Sequence, residues 1–203
     1  MSDAATFIYI VEDDEAVRDS LALLLKAESY AVKTYASAEA FLKESVRELR
    51  GVLVLDIRMP GMTGMELHKK LLALNCALPV IFVTGHGDVT MAVEAMKLGA
   101  IDFVQKPYRE EELLVKIEEA LKMDAEQHEA LTHKEELKRR IESLTPREAE
   151  IMEMMVAGNA NKVIAIDLDI SQRTVEIHRS RVMQKMGTHS LAQLVQMIIV
   201  ARS

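Results

Sequence analysis

Up to about residue 120 the chain alternates short apolar runs with amphipathic stretches, and this alternation restricts the possible folds more than any other feature. The runs are Phe7 to Val11, Val52 to Leu55, Val80 to Val83 and Ile101 to Val104. Ala31 to Tyr35 is a weaker, more alternating fifth run that suits an edge strand. Short runs rich in Val, Ile and Phe fit strands buried on both faces. Between them apolar residues recur at three- and four-residue spacing, as in Val17, Leu21, Leu24 and Leu25, and again in Met91, Ala92, Ala95 and Met96. Strand alternating with helix predicts a doubly wound α/β domain with a five-stranded parallel sheet and helices on both faces. In such sheets the chemistry lies at the carboxyl ends of the strands.

The remaining 80 or so of the 203 residues have a different character. Residues 109 to 143 hold Glu, Lys, Ala and Leu with no Gly or Pro and predict one long helix. Leu137, Ile141 and Leu144 follow heptad spacing, but the same register carried backwards meets Lys134 and Gln127, so coiled coil and solvated linker both remain open. Thr145-Pro146-Arg147-Glu148 is a sharp helix start, with Thr145 as N-cap, Pro146 in the first helical position and Glu148 completing a capping box. Short helices follow at about 147 to 157, 161 to 168, 172 to 186 and 190 to 200, with Gly158 and Gly187 at helix ends and Ser171 and Ser190 as N-caps.

Composition excludes several classes. With 49% hydrophobic and 28% charged residues the chain is neither disordered nor fibrous. The lone Cys76 excludes an internal disulfide and a multi-cysteine zinc site. No apolar stretch approaches the roughly 18 residues of a membrane span, and the acidic start MSDAATFIYIVEDDE lacks a secretory pattern. A reducing cytoplasm and no membrane partner are the expectation. The net charge of -7 is unevenly spread: residues 1 to 120 carry 13 basic against 20 acidic side chains, and residues 144 to 203 carry 7 against 6. Overall acidity therefore does not exclude nucleic-acid binding by the last sixty residues.

The polar residues at the strand ends suggest a reaction. Asp13 and Asp14 follow the first run, Asp56 the third, Thr84 ends the fourth, and Lys106 with Pro107 follows the fifth. Three carboxylates around one crevice repel one another unless a cation lies among them, and an all-oxygen set suits magnesium or manganese. An aspartate beside such a metal, an ammonium and a hydroxyl is suited to accept a phosphoryl group.

These residues carry a resemblance. Val11-Glu12-Asp13-Asp14, Leu55-Asp56-Ile57-Arg58-Met59-Pro60-Gly61, Thr84-Gly85-His86 and Lys106-Pro107 make residues 1 to 122 similar to the receiver domain of two-component response regulators, a flavodoxin-like fold. The resemblance implies that Asp56 is the phosphorylated residue. It implies that Asp13, Asp14 and Asp56 hold the metal with the backbone carbonyl of Arg58, and that Thr84 and Lys106 bind phosphoryl oxygens. Lys106-Pro107 is implied to be cis, Thr84 and Phe103 to form the switch that either pairs two receivers or releases the DNA-binding domain, and Arg58 and His86 to occupy positions that tune phosphoryl lifetime.

The last region has its own pattern. The helix opened by Ser171 carries Arg173, Arg179, Arg181 and Lys185 against the single acid Glu176, and a short helix precedes it across a tight turn. A basic second helix after a tight turn describes a helix-turn-helix. Leu144-Thr145-Pro146-Arg147-Glu148, Asn161-Lys162-Val163-Ile164-Ala165, Thr174-Val175-Glu176-Ile177-His178-Arg179 and Met183-Gln184-Lys185-Met186 closely resemble the LuxR-type helix-turn-helix over residues 144 to 203, with 123 to 143 as linker. The whole chain resembles the FixJ/NarL class of response regulators, nearest its FixJ-like members. By that resemblance Lys162, Gln172, Arg173, Thr174, Glu176, His178, Arg179 and Lys185 contact DNA. Leu191, Leu194, Val195 and Ile198 form either a dimer contact or part of their own domain's core. The implied partners are a sensor histidine kinase, duplex DNA with two-fold half-sites, a second copy on phosphorylation and, at a promoter, RNA polymerase.

Two alternatives belong to other classes. An aspartyl-nucleophile phosphatase or phosphotransferase would use Asp56 with magnesium, but would want an acid where Arg58 stands. A protein-interaction module with a vestigial receiver would not need the complete acidic, hydroxyl and lysine set. His68, His128, His133 and His189 lack ligand spacing and are expected at the surface, and Cys76 in a structural place.

Overall fold

The computed structural model describes residues 5–85 and 89–202, with nothing said of the Val89 side chain. The chain divides into two compact units, residues 1–127 and 128–203. The first holds strands β1 (Phe7–Val11), β2 (Val32–Tyr35), β3 (Gly51–Leu55), β4 (Val80–Thr84) and β5 (Asp102–Gln105) in one parallel sheet ordered β2-β1-β3-β4-β5. Helices α1 (Glu15–Ala27), α2 (Ala38–Phe41), α3 (Gly64–Ala73) and α4 (Val89–Lys97) connect them, with a 3-10 turn at Val46–Glu48. Helix α5 (Glu110–Glu142) starts in the first unit and ends in the second. The second unit adds α6 (Pro146–Val156), α7 (Asn161–Asp167), α8 (Gln172–Met186) and α9 (Leu191–Arg202).

The two-residue side-chain period of a strand explains the continuous apolar runs. Ile8, Ile10, Val52, Val54, Ile81, Val83 and Val104 point to one face, where Leu21 and Leu25 of α1 and Leu113 and Ile117 of α5 cover them. Tyr9, Val11, Leu53, Leu55 and Phe82 point to the other, against Phe41 of α2 and Leu67 and Leu71 of α3. The weaker run is indeed the edge strand β2, with no fully buried residue.

One expectation is corrected on this second face. His68 is not at the surface: it is 3% exposed and packs edge-on against Phe82. It shares the inner stripe of α3 with Gly64, Leu67 and Leu71, so helical periodicity decides its place. Burial lowers its pKa, and among the described residues its Nδ1 has no hydrogen-bond partner.

The second unit packs Ile151, Met152 and Met155 of α6, Ile164 of α7, Val175, Val182 and Met186 of α8, and Leu194 and Ile198 of α9 into one core. Leu144 belongs to this core and Ile141 of α5 packs against it. Two of the three heptad-spaced residues are thus used inside their own unit. Leu194 and Ile198 likewise face inward, leaving Leu191 and Ile199 exposed on α9. Among the described residues no helix is long and apolar enough to cross a membrane.

Candidate phosphoryl-acceptor site and nucleic-acid interface

The parallel register brings the carboxyl ends of the strands to one edge of the sheet. Val11 pairs with Leu55, Leu55 with Phe82, and Thr84 with Gln105. Asp56 N–H donates to the Val11 carbonyl at 2.9 Å and Lys106 N–H to the Thr84 carbonyl at 2.9 Å, so each polar residue starts where its strand stops. Gly64 keeps α3 close to this edge. A Cβ there would stand 2.1 Å from the Asp56 carbonyl oxygen, so only glycine fits. Thr63 and Glu66 form the capping box that starts α3 beside it.

Asp56 is buried, and its Oδ2 accepts from the Arg58 N–H at 2.9 Å. Its Oδ1 lies 3.5 Å from Lys106 Nζ. Lys106 makes its shorter bond to Glu12, at 2.6 Å to Oε2. Carboxylate oxygens of Glu12, Asp13 and Asp56 lie within 4.8 Å of one another. Burial raises the pKa of Glu12 and of Asp56, in both cases against the opposing pull of Lys106. For Lys106, burial lowers the ammonium's pKa, but the Glu12 hydrogen bond and the charges of Glu12 and Asp56 outweigh it and the net shift is upward. Two buried carboxylates and a third beside them offer a hard, oxygen-only donor set, still in excess over the one ammonium nearby, which fits a magnesium-sized cation.

The carboxylates that meet in the crevice are Glu12 and Asp13, one position earlier than the expected Asp13 and Asp14. Asp14 is outside the cluster: its carboxylate accepts the Val17 N–H at 3.1 Å as the N-cap of α1. Glu12, directly after β1 and 5% exposed, stands in the crevice instead. The capping preference of aspartate one residue before a helix was the signal for this assignment. Arg18, which no motif in the sequence marks out, donates from its guanidinium to the carbonyls of Glu12 at 2.8 Å and Asp13 at 3.2 Å and so holds the acidic turn. Thr84 is buried at the end of β4, Phe103 is half-buried against the core face that holds Phe82, and the Lys106-Pro107 bond is cis. His86 lies outside the described residues.

In the second unit Ser171 caps α8 by accepting the Thr174 N–H, and its hydroxyl also meets that of Thr174 at 2.8 Å. Gln172, Arg173 and Glu176 are exposed on α8 and Lys162 on α7, whereas Thr174, His178 and Arg179 are half-buried. His178 turns its Nδ1 inward, where it has no partner among the described residues. Lys185, expected to contact DNA, already has partners within its own unit. Its ammonium is bound within the unit, to Glu148 Oε2 at 2.6 Å and the Ser143 carbonyl at 3.0 Å. Arg147 donates to the Leu168 carbonyl at the end of α7, a bracing role its motif did not reveal.

Two family models match the chain. The response regulator receiver domain matches residues 8–118, and the bacterial regulatory proteins of the luxR family match residues 142–198. The response regulator protein TodT of Pseudomonas putida is 43% identical over 196 residues, covering 97% of this chain and 86% of TodT. The transcriptional regulatory protein FixJ of Azorhizobium caulinodans is 46% identical over 194 residues, covering 96% of this chain and 92% of FixJ. The solved structure of the response regulator StyR aligns with a TM-score of 0.88 at 42% identity, across 96% of this chain and 98% of StyR.

Proposed function

The chain belongs to the response regulators that join a receiver domain to a LuxR-type DNA-binding domain, and we propose that phosphoryl transfer to Asp56 is what controls its hold on DNA. It is a phosphorylation-controlled transcription regulator rather than a classical enzyme. The observation that carries the assignment to Asp56 is the position of its carboxylate, with one oxygen bound by the Arg58 N–H and the other 3.5 Å from an ammonium, beside the oxygens of Glu12 and Asp13.

Asp56 Oδ1 attacks the phosphorus of a phosphohistidine on the sensor kinase. The P–N bond breaks, the imidazole leaves with the electron pair and takes up a proton, and Asp56 becomes an acyl phosphate. Lys106 neutralises charge on the transferring oxygens, and the Thr84 hydroxyl donates a hydrogen bond to the product. A divalent cation held by Glu12, Asp13, Asp56 and the Arg58 carbonyl would supply the remaining positive charge. Drawn toward the phosphate, Thr84 leaves room into which Phe103 rotates, and this repacks the surface around α4 and β5. That surface then pairs two receivers, which suits two-fold half-sites on DNA and leaves the exposed face of α8 to enter the major groove. Bound at a promoter, the dimer stands where RNA polymerase can meet it.

The test is molar mass and DNA retention of the full chain with magnesium, before and after beryllofluoride, beside Asp56→Asn. Doubling of mass and gain of DNA binding only with Asp56 intact is the expected outcome. Equal gain in Asp56→Asn overturns the assignment.

A further inference from the structure

The helix α8 is anchored at its carboxyl end by groups that lie outside it, within residues 136–148. Arg140, in the last turn of α5, donates from Nη1 to the Met186 carbonyl at 2.8 Å. That carbonyl belongs to the final residue of α8, where no intrahelical donor remains and the helix dipole is negative. Glu136, one turn earlier on α5, pairs with Nη2 and fixes the direction of the guanidinium plane. The next residue, Gly187, is left-handed at φ +69, and a Cβ there would stand 2.6 Å from Arg140 Nη1. The glycine therefore serves both the backbone turn and the approach of the guanidinium. Lys185, one residue before Met186, reaches Ser143 and Glu148 at the α5–α6 junction. The carboxyl end of α8 is thus held by one short stretch of chain, residues 136–148, while the exposed polar residues proposed to meet base edges lie in its first turns.

We propose that Arg140 is a positioning residue for DNA recognition: it fixes the tilt of α8 from the end of α5 and so sets sequence discrimination without touching DNA. The lever explains why this position matters. α8 spans 15 residues, about 22 Å, so a small displacement at Met186 swings Gln172 and Arg173 against base edges that must be met within a few tenths of an ångström. Phosphate contacts tolerate such a swing better, because flexible arginine and lysine side chains follow it. Losing the anchor should therefore cost specific binding more than non-specific binding.

This inference rests on the reading of α8 as the DNA-contacting helix, and the experiment separates the two. A duplex is first selected from a random-sequence library by the full-length wild-type chain treated with beryllofluoride. Affinities for that duplex and for a random duplex of equal length are then measured over a range of salt, for the wild type, Arg140→Ala, Arg140→Lys and Arg179→Ala. In Arg140→Ala, affinity for the selected duplex should fall about tenfold, affinity for the random duplex less than about twofold, and the salt slope should not change. Arg140→Lys, which keeps a donor for the Met186 carbonyl, should recover to within about threefold of the wild type. Equal losses on both duplexes overturn the proposal, with or without a fall in thermal stability, as does a salt slope reduced by about one or no loss on either duplex. If Arg179→Ala binds both duplexes as well as the wild type does, the reading of α8 itself fails.

Discussion

At Glu148 one carboxylate serves two structural purposes: it closes the α6 capping box on the Thr145 N–H, and it receives the Lys185 ammonium. The Lys185 hydrogen bond comes first among the causes that bring its pKa down to about 2, from an ordinary 4.5. A folded-state pKa below the unfolded one means that the stabilisation is complete above about 4.5 and is lost as pH falls toward 2. Acid unfolding followed in the second unit should show this loss in the wild type and not in Glu148→Gln. Lys185→Ala should destabilise that unit by roughly 1–3 kcal/mol in denaturant titration while leaving the salt slope of DNA binding unchanged. His68 works in the same direction at higher pH. Its ring is kept neutral by burial, so the unfolded chain takes up its proton first as pH drops below the ordinary 6.5. The stability difference between the wild type and His68→Leu should accordingly shift against the wild type between pH 8 and 5.5, measured by denaturant midpoints. The acidic turn yields a third residue-scale outcome. Asp14→Ala should cost about 1 kcal/mol of stability through the lost cap and leave manganese affinity within about twofold, whereas Glu12→Gln should weaken manganese binding severalfold by titration calorimetry. Sequence alone found an acidic turn after β1, but the choice among three adjacent acids depends on where the strand stops and the helix cap begins.

Helix α5 is the element whose local sequence says least about its surroundings. Leu113, Ile117 and Ala120 bury one stripe of it in the first unit, and Asp124 ends that stripe in a two-pronged ion pair with Arg50, at 2.8 Å from Nη2 and 3.0 Å from Nε. Both side chains are largely buried and 74 positions apart, so no local pattern announces the pair. Removing one partner leaves the other charge buried and unmatched, which typically costs about 3–5 kcal/mol. Asp124→Asn should therefore lower first-unit stability by most of that amount in denaturant titration. In the double variant Arg50→Met with Asp124→Leu, the loss should be clearly smaller than the sum of the two single losses. Further along, Ile141 and Leu144 satisfy a heptad spacing yet pack within the second unit. An apolar stripe at this spacing serves a neighbouring helix of the same chain as well as a second copy, and only the fold reveals which it meets.

On the scale of the whole molecule, two separate cores predict separable responses to ligands. A ligand that binds only the folded form raises stability by mass action. Magnesium with beryllofluoride should raise the unfolding midpoint of the first unit, and a selected DNA duplex that of the second, as followed by hydrogen exchange of peptides from each core. A shift of both midpoints by either ligand alone would show that the two units unfold as one.

What the sequence determined by itself is the alternation of buried strands and amphipathic helices, the capping box that starts α6, and the residue types gathered at the strand ends. Each of these follows from a period or a spacing within a few residues, and such local rules act before any distant contact forms. What only the tertiary structure decided are the pairings between distant positions: Glu12 with Lys106, Arg50 with Asp124, Glu148 with Lys185, and Arg140 with Met186. A charged side chain reads the same in sequence whether it faces water, a phosphate or a buried carboxylate. Its role is set by which partner the packed helices and strands bring within about 3 Å, and that distance depends on the whole fold.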